Sequence, residues 1–537
     1  AAARRASLRQ LGRSSAREGF APALEALIAD LGAAGLDAPG FAAAVAELED
    51  GSYEREIVEL LRSYEELRDE LGFADEALAA ERATAALRAD PSAWRERPVL
   101  LLGFDDLSRR QIELVEALGR AAEVTVAITF GADRPALAAR AELRATLVDE
   151  LGATIEAELT PAGPARTTIS HLERNLFEPR PEIVEPDDTL LLLEGAGERS
   201  EAELIGRRIA SLLAAGTDPD AIAVAVRSPD RQAPLLARVL GQLGVPVAAE
   251  ARVPLAATST GAAILRLLSI AAGDGTAAEL VAFLRGPARA HPSAVDWLER
   301  RVLRERRETA AEALEIWSGE DGERRVWELD ALREAGGDRA RFAATLARIA
   351  AEIAERPHLR SGVVPSSGPS IELRAAAEIS RALDECGALA EHAPSPDEAA
   401  ELLAHVRVPL WRGPTEGRVR ILSPYGLRAT RVDHLFVAGL SDGAFPARAG
   451  ADPLLADERR AALGLTTRRD PAAEERYLFH ACVSRPADRL YLSYPVSDEA
   501  GVPRPRSPFV DEVRSLLAPP PTAEREDDAV EARLAVR

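Results

Sequence analysis

EERYLFHACVSRPADRLYLSYP, Glu474 to Pro495, places a charged helical segment directly before an apolar strand. The second half is rich in leucine and tyrosine, which predicts a buried strand. Pro486 stands between the two halves, and a residue that precedes a proline is pushed out of helical geometry. We therefore predict that the helix ends early, close to Arg485. A helix followed at once by a buried strand is typical of an α/β protein.

The same alternation occurs in three other stretches. RPVLLLGFDDLSRRQIELVEALGRAAEVTVAITF, which starts at Arg97, predicts a strand, an acidic turn, a helix and a second strand, and so a βαβ unit. DTLLLLEGAGERSEAELIGRRIASLLAAG, from Asp188, and DAIAVAVRSPD, from Asp220, predict further strands, the first of them followed by a helix. The pattern resumes at Arg418. These stretches predict an α/β fold with two parallel-sheet lobes.

Helical patterning fills the rest of the chain and sets the expected boundaries. Four of the five tryptophans fall in the longest of these helical regions or at its end. The predicted parts are a helical module of the first lobe (1–95), the remainder of the first lobe (96–185), the first part of the second lobe (186–261), a helical insertion (262–415), the second part of the second lobe (416–515) and a linker or tail (516–537).

Composition excludes several classes of protein. The 537 residues carry a formal net charge of −22, and all 66 basic residues are arginine. Such acidity argues against non-specific coating of nucleic acid, although it leaves room for a narrow arginine-lined groove. The two cysteines, Cys386 and Cys482, lie far apart, which argues against a disulfide framework or a zinc site. No apolar run approaches the roughly 18 residues that span a bilayer, so we expect no membrane association and a cytoplasmic location.

The order of these elements resembles the helicase-like core of AddB-type subunits of bacterial helicase-nucleases. These subunits are relatives of the UvrD/Rep helicases and include proteins with a PD-(D/E)XK nuclease domain. The resemblance covers nearly the whole chain and is clearest over 97–130, 190–260 and 416–515. It implies that the two lobes are RecA-like and that the protein binds DNA. It also implies a cleft between nucleotide-binding lobes in which ATP and magnesium are possible ligands. The implied partner is a UvrD-like AddA-type helicase-nuclease subunit.

The first motif is GFDDLSRRQIELVEAL, which starts at Gly103. In active motors of this superfamily, an acidic pair at this strand end holds magnesium and positions the attacking water. By resemblance the pair is Asp105 and Asp106, with Gln111 in the following helix. The alternative is that the two aspartates only form a turn and that Ser108 caps the helix.

The second motif is AVAVRSPD, in which Arg227 follows a predicted strand. The resemblance implies that this arginine reaches the terminal phosphate of a nucleotide, a role that suits a planar and permanently charged guanidinium. The alternative is an ordinary surface arginine at the end of a strand.

Two C-terminal motifs complete the series. RILSPYGLRATRVDHLFVAGLSDGAFP, from Arg420, matches the family in its strand and in its GLSDGAFP turn, but lacks the histidine and glutamate of active helicases. In the opening stretch, Glu475 and Arg476 correspond to residues that brace the helix, and Phe479 is expected to pack inside. Arg485 corresponds to the arginine finger that faces the phosphate.

No GxxxxGK[ST] loop occurs in the sequence, so a triphosphate cradle is absent from it. The nuclease motif and the cysteines of an iron-sulfur cluster, which the resemblance places in a nuclease domain, are also absent. The leading hypothesis is a helicase-like subunit that binds DNA at double-strand breaks without hydrolysing ATP. The alternatives are a piece of an ATP-dependent helicase or exodeoxyribonuclease, and a non-catalytic scaffold for a partner helicase.

Overall fold

The fold is α/β, with parallel strands and many helices, in a computed structural model. The chain divides into two compact units. The first comprises Ala1–Arg227, Val239–Pro246 and Leu422–Arg537, and the second comprises Ser228–Arg238 and Val247–Ile421. The structure describes residues 2–15, 17, 19–48, 50–104, 106–131, 133–159, 166–286, 290–319, 324–361, 370–387, 396–428, 430–448, 450, 452–463, 465, 470–518 and 533–534.

The helices are α1 Ala2–Arg5, α2 Phe20–Ala33, α3 Ala38–Ala46, α4 Ser52–Glu70, α5 Glu76–Ala89, α6 Arg109–Ala121, α7 Ala141–Ala145, α8 Thr168–Asn175, α9 Glu198–Ala214, α10 Pro229–Gln242, α11 Ser259–Ala272, α12 Ala277–Leu284, α13 Pro292–Glu305, α14 Ala310–Ser318, α15 Trp327–Ala335, α16 Arg339–Ser361, α17 Ile371–Gly387, α18 Pro396–Ala404, α19 Asp457–Ala462, α20 Pro471–Val483 and α21 Pro508–Ser515. The strands are β1 Val99–Leu102, β2 Val124–Ala127, β3 Leu190–Gly195, β4 Ile222–Val226, β5 Val247–Ala249, β6 Arg252–Pro254, β7 Arg407–Pro409, β8 Val419–Leu422, β9 Val432–Ala438, β10 Pro486–Pro495 and β11 Arg533–Leu534.

A parallel sheet forms the centre of the first unit. Its strands lie in the order β11, β3, β10, β9, β4; β11 pairs with β3 in the antiparallel sense, and the other neighbours are parallel. All five residues of β4 are buried, as are Leu490 to Pro495 of β10. Strands covered on both faces read as continuous apolar runs, which is why the sequence predicted these strands. The strands and α20 share one apolar core.

The predicted βαβ unit near Arg97 is confirmed, but its sheet is small. β1 and β2 are parallel, are connected through α6, and form a two-stranded sheet of their own. Residues of both strands alternate between partly buried and exposed. Leu100 and Leu102 are 76% and 64% exposed. One face of this sheet is therefore open to solvent. The sequence could not predict this, because the apolar run VLLL is compatible with a strand that is covered on one face or on both.

Helices dominate the start of the chain and the second unit. The buried side chains of α2, α3 and α4 form a core with Leu454, Leu455, Leu463 and Leu465. The second unit has its own core, built by α11 to α18, together with a parallel pair of β5 and β8 and an antiparallel pair of β6 and β7. Among the described residues no single helix is long and apolar enough to cross a membrane; α2 and α3, bent by 89°, meet that test only as a pair.

A buried carboxyl group joins three of the strand ends in the first unit. Glu201, in the first turns of α9, accepts hydrogen bonds from the backbone N–H of Gly439 (2.8 Å) and the hydroxyl of Ser493 (2.6 Å). Gly195, at the end of β3, permits this approach, because a Cβ there would lie 2.5 Å from the amide nitrogen of Glu201. Burial raises the pKa of Glu201 to about 7, against the opposing effect of its two hydrogen bonds.

We expect Glu201→Gln to remove a pH dependence from the stability of the first unit. Between pH 4.5 and about 7 the folded protein keeps a proton on Glu201 that the unfolded chain has released, so this group's contribution to stability is present below pH 4.5 and is lost as the pH rises through 7. Hydrogen exchange measures the free energy of opening of β9 and β10, which should fall in the wild type between pH 5 and pH 8. In the variant this fall should be smaller by roughly 2 kcal/mol.

Glu203→Gln is the matched control, since Glu203 lies on the same helix in exposed ion pairs with Arg199 and Arg207. This control should follow the wild-type profile. Parallel profiles for wild type and Glu201→Gln would show that Glu201 is already ionised at pH 5.

Candidate functional site: an arginine cluster around helix α20

Helix α20 presents two adjacent carboxylates in its first turns. It begins at Pro471 under a cap in which the Asp470 side chain accepts from the amide of Ala472. It ends at Val483, and β10 begins at Pro486, so the predicted early end of the helix is confirmed. Phe479 is fully buried, also as predicted. Because Phe479 packs into the core, the helix is held in one rotation, and this fixes the direction in which Glu474 and Glu475 project.

Glu475 pairs with Arg227, 248 residues earlier in the chain. The Nε and Nη2 atoms of Arg227 both donate to the carboxylate, at 2.9 Å and 2.6 Å from Oε1, and Oε2 lies 3.1 Å from Nε. Glu475 is 5% exposed, and its Oε2 also accepts from the amide of Ala447 at 2.8 Å. Burial acts to lower the pKa of Arg227, but the hydrogen bond to Glu475 and the negative charge around the guanidinium together outweigh it, and the pKa is raised. The structure thus brings together two predicted site residues.

Glu474 pairs with a second buried arginine, which sequence reasoning missed. Arg140 is 1% exposed and donates from Nη2 to Glu474 at 2.6 Å. Its guanidinium carbon lies 3.8 Å from the centre of the Tyr477 ring, which adds a cation–π contact. The sequence around Arg140, PALAAR, resembles an ordinary helical surface and gives no signal of this role.

Tyr425 connects the two ion pairs. It comes from SPYGLRATRV, the segment that lacks the catalytic residues of active helicases. Its hydroxyl lies 3.4 Å from Glu474, and its ring centre lies 5.8 Å from the guanidinium carbon of Arg227 and 5.1 Å from that of Arg428. Burial and the charge of Glu474 raise the pKa of the Tyr425 phenol.

Arg485 follows α20 and differs from the other two arginines. Its side chain is partly buried, and its Nε is buried without a hydrogen-bond partner. Within the part of the chain that the structure describes, its guanidinium has no ion pair. Burial raises the pKa of the Cys482 thiol to about 12, while the charges of Arg485 and Arg227 act in the opposite direction. Arg485 precedes the pairing of Pro486 with Val432, and Arg227 follows the pairing of Val226 with Ala438, so the two arginines lie at opposite ends of strand β9. We call Arg140, Arg227, Glu474, Glu475 and Tyr425 the arginine cluster.

Of the residues predicted for the magnesium side, the structure describes Asp106 and Gln111. Asp105 falls outside the described residues, and Asp106 is exposed. Gln111 and Ser108 form a reciprocal cap: the amide of Ser108 donates to the Gln111 side chain at 2.9 Å, and the amide of Gln111 donates to the Ser108 hydroxyl at 3.3 Å. The described residues contain no group of three or more His, Cys, Asp or Glu side chains that is arranged for a metal ion.

Comparison with curated proteins gives short matches to bacterial helicase/deoxyribonuclease subunits. A segment of 111 residues is 32% identical to the B subunit of the ATP-dependent helicase/deoxyribonuclease of Lysinibacillus sphaericus, covering 20% of this chain and 9% of the relative. The proteins of the same name from Desulforamulus reducens and Pelotomaculum thermopropionicum match at 36% over 96 residues and 39% over 88 residues, which is 17% and 15% of this chain and 8% of each relative. The resemblance to AddB-type subunits is confirmed, but these matches cover 15% to 20% of the chain and not nearly the whole of it.

The extent of that similarity is limited. No protein-family model matches the chain. The aligned segments are less than a tenth of the length of these relatives. The activity, substrates and partners of the AddB-type relatives therefore enter only as proposals for this chain.

We expect a double-mutant cycle on Arg227 and Glu475 to show strong coupling, because the pair is largely buried and bidentate. Arg227→Met, Glu475→Gln and the double variant should give an interaction free energy of about 1–3 kcal/mol, measured from hydrogen exchange of the β10 amides. The exposed pair of Arg199 and Glu203 is the control and should couple by less than about 0.5 kcal/mol. Equal coupling in the two cycles would contradict the assignment of Arg227 and Glu475 as a buried pair.

Proposed function

We propose that the chain is the helicase-like portion of an AddB-type subunit that binds DNA at double-strand ends and takes part in recombinational repair without hydrolysing ATP itself. The observation that carries the proposal is the similarity to the B subunits of helicase/deoxyribonucleases from several bacteria. The expected partners are DNA and an AddA-type subunit, and the expected location is the cytoplasm.

In this proposal the parallel sheet of β3, β10, β9 and β4 belongs to the second of two RecA-like lobes. The β1–α6–β2 unit belongs to the first lobe, and the helical modules are 1–95 and 262–415. The arginine cluster is proposed as the remnant of a nucleotide cleft, with Arg227 as its phosphate-facing group, and Arg485 is proposed by resemblance alone as the arginine finger. Asp105, Asp106 and Gln111 are proposed for its metal side.

Two features support the lack of hydrolysis. The sequence has no GxxxxGK[ST] loop, so backbone donors and a lysine for a triphosphate are missing from it. Glu475 also occupies the Nε–Nη2 edge of Arg227. An arginine that is neutralised by a carboxylate contributes little to the charge of a phosphoryl transition state.

The buried ion pairs also favour a second candidate function. A scaffold that retains the motor fold only to hold a partner helicase would keep Arg140–Glu474 and Arg227–Glu475 as structural contacts. Arg485→Ala separates the two functions in the assembled complex. Loss of DNA processing with an intact complex supports a working site, whereas loss of assembly supports the scaffold. A P-loop and a nuclease motif elsewhere in the encoding gene would instead indicate part of an ATP-dependent helicase-nuclease.

We expect this chain to bind a forked DNA with an affinity that falls about tenfold or more between 50 and 200 mM salt, because guanidinium groups must displace counterions from phosphates. If Arg485 touches the backbone, Arg485→Gln should reduce the slope of log affinity against log salt by about 1. Fluorescence anisotropy measures both quantities.

Arg199→Gln is the matched control, since Arg199 is 71% exposed on α9 and is not a member of the cluster. It should leave the slope unchanged. No binding to the fork, or binding without salt dependence, would overturn the proposal.

A further inference from the structure

Three polar side chains meet beneath the C-terminal half of α9. Arg208 follows Glu201 by seven residues, so both project from the face of α9 that covers the sheet. The guanidinium carbon of Arg208 lies 5.6 Å from the centre of the Tyr491 ring, and the centre of the His434 ring lies 6.3 Å from the same point. Arg208, His434 and Tyr491 therefore adjoin one another around this ring, and we call them the Tyr491 site.

The strands separate the Tyr491 site from the arginine cluster. His434 pairs with Arg489 and Phe436 pairs with Tyr491, so these four side chains share one face of β9 and β10, from the middle of β9 toward its amino end. Arg227 of the cluster lies past the carboxyl end of β9. Ligands of open α/β sheets ordinarily bind at that carboxyl edge, so the Tyr491 site lies apart from the position expected for a nucleotide.

Each member of the site has a buried polar atom that no described group of the protein satisfies. These atoms are Nε of Arg208, Nδ1 of His434 and the hydroxyl oxygen of Tyr491. Tyr491 is fully buried, and His434 is 7% exposed. Native proteins pair nearly all such atoms, because a buried donor or acceptor without a partner is costly. Three of them around one ring require a common explanation.

The charge of Arg208 narrows that explanation. Most other arginines with an unpartnered buried Nε still hold a carboxylate through another nitrogen; these are Arg110, Arg140, Arg460 and Arg476. Among the described residues, Arg208 has no ion pair. A water molecule could complete the three hydrogen-bonding atoms but would leave this charge unbalanced, whereas an anion would do both.

The carboxylates printed beside the site are exposed at its edge. Oδ2 of Asp488 lies 3.8 Å from Nε2 of His434, and Asp188 pairs with Arg489 at 3.1 Å. The Arg489 side chain also lies beside the Tyr491 phenol, which adds a second positive charge near the ring. Burial lowers the pKa of His434, so its imidazole is neutral at pH 7 and carries its one proton on either nitrogen.

We propose that the Tyr491 site binds a small oxyanion. Its oxygens accept hydrogen bonds from the Arg208 guanidinium and the Tyr491 hydroxyl, and from His434 when the imidazole proton is on Nδ1. Arg208 is partly exposed, so the anion reaches the site beside this guanidinium. Because Arg208 belongs to α9 and the other two residues to β9 and β10, the bound anion ties the helix to the sheet. The site is independent of DNA and of the arginine cluster.

The test is a titration of the whole chain with inorganic phosphate, and separately with acetate, at constant ionic strength. The ¹⁵N resonance of the Arg208 Nε–H group, assigned by its loss in Arg208→Gln, should shift along a saturable curve. Tyr491→Phe keeps the ring that stacks on Phe436 at 4.1 Å and removes only the hydroxyl, so the affinity should fall about threefold to tenfold.

Arg207→Gln is the matched control, because Arg207 is the neighbour of Arg208 on α9 and pairs with Glu203 at 3.6 Å. Its affinity for either anion should equal that of the wild type. Thermal unfolding gives a second readout: the preferred anion should raise the Tm of the wild type and of Arg207→Gln, and should leave the Tm of Arg208→Gln unchanged.

The two anions identify the chemistry of the ligand. Tighter binding of phosphate indicates a tetrahedral oxyanion, and tighter binding of acetate indicates a carboxylate. The absence of a saturable shift with both anions would overturn the proposal and leave a buried water as the partner of the three atoms. Equal affinity in wild type and Tyr491→Phe would also overturn it, and this comparison stands even if Arg208→Gln does not fold.

Discussion

Charge neutralisation along one helix determines how distant parts of the first unit meet. Glu474 and Glu475 are neighbours in α20, and neither projects freely into water. A buried carboxylate without a cation is strongly unfavourable, so each must find a partner. Arg140 and Arg227 come from segments 334 and 248 residues away. The two ion pairs thus fix α20 against the end of β4 and against the segment that leads to α7.

Much of the fold could be predicted from local pattern. The apolar run IAVAV followed by Arg227 indicated a buried strand with a charged residue at its end, and Pro486 indicated where α20 stops. The unpaired face of β1 could not be predicted, because four apolar residues satisfy a strand covered on one face as well as on two. Which helices would pack beside the strands depends on contacts between segments that periodicity does not encode.

Two members of the candidate site were predictable from the sequence, but the contact between them was not. Arg227 was suggested by one motif and Glu475 by another, the stretch that also contains Arg485. The pairing of Arg227 with Glu475 depends on which side chains meet in three dimensions, and a single sequence carries no record of that. Arg140 gave no signal, since its role arises from burial beside Tyr477. Tyr425 lies in a segment that the sequence analysis distinguished only by the catalytic residues it lacks. Its ring nevertheless lies close to the guanidinium groups of Arg227 and Arg428.

The small sheet of β1 and β2 has a consequence for the behaviour of the protein in solution. Leu100 and Leu102 stand side by side on its open face, and parallel strands are ordinarily covered on both faces. The net charge of −22 repels copies of the chain at long range, but it acts weakly once salt screens it. Self-association of concentrated samples should therefore begin at these two leucines, and increase rather than decrease when salt is added to suppress it.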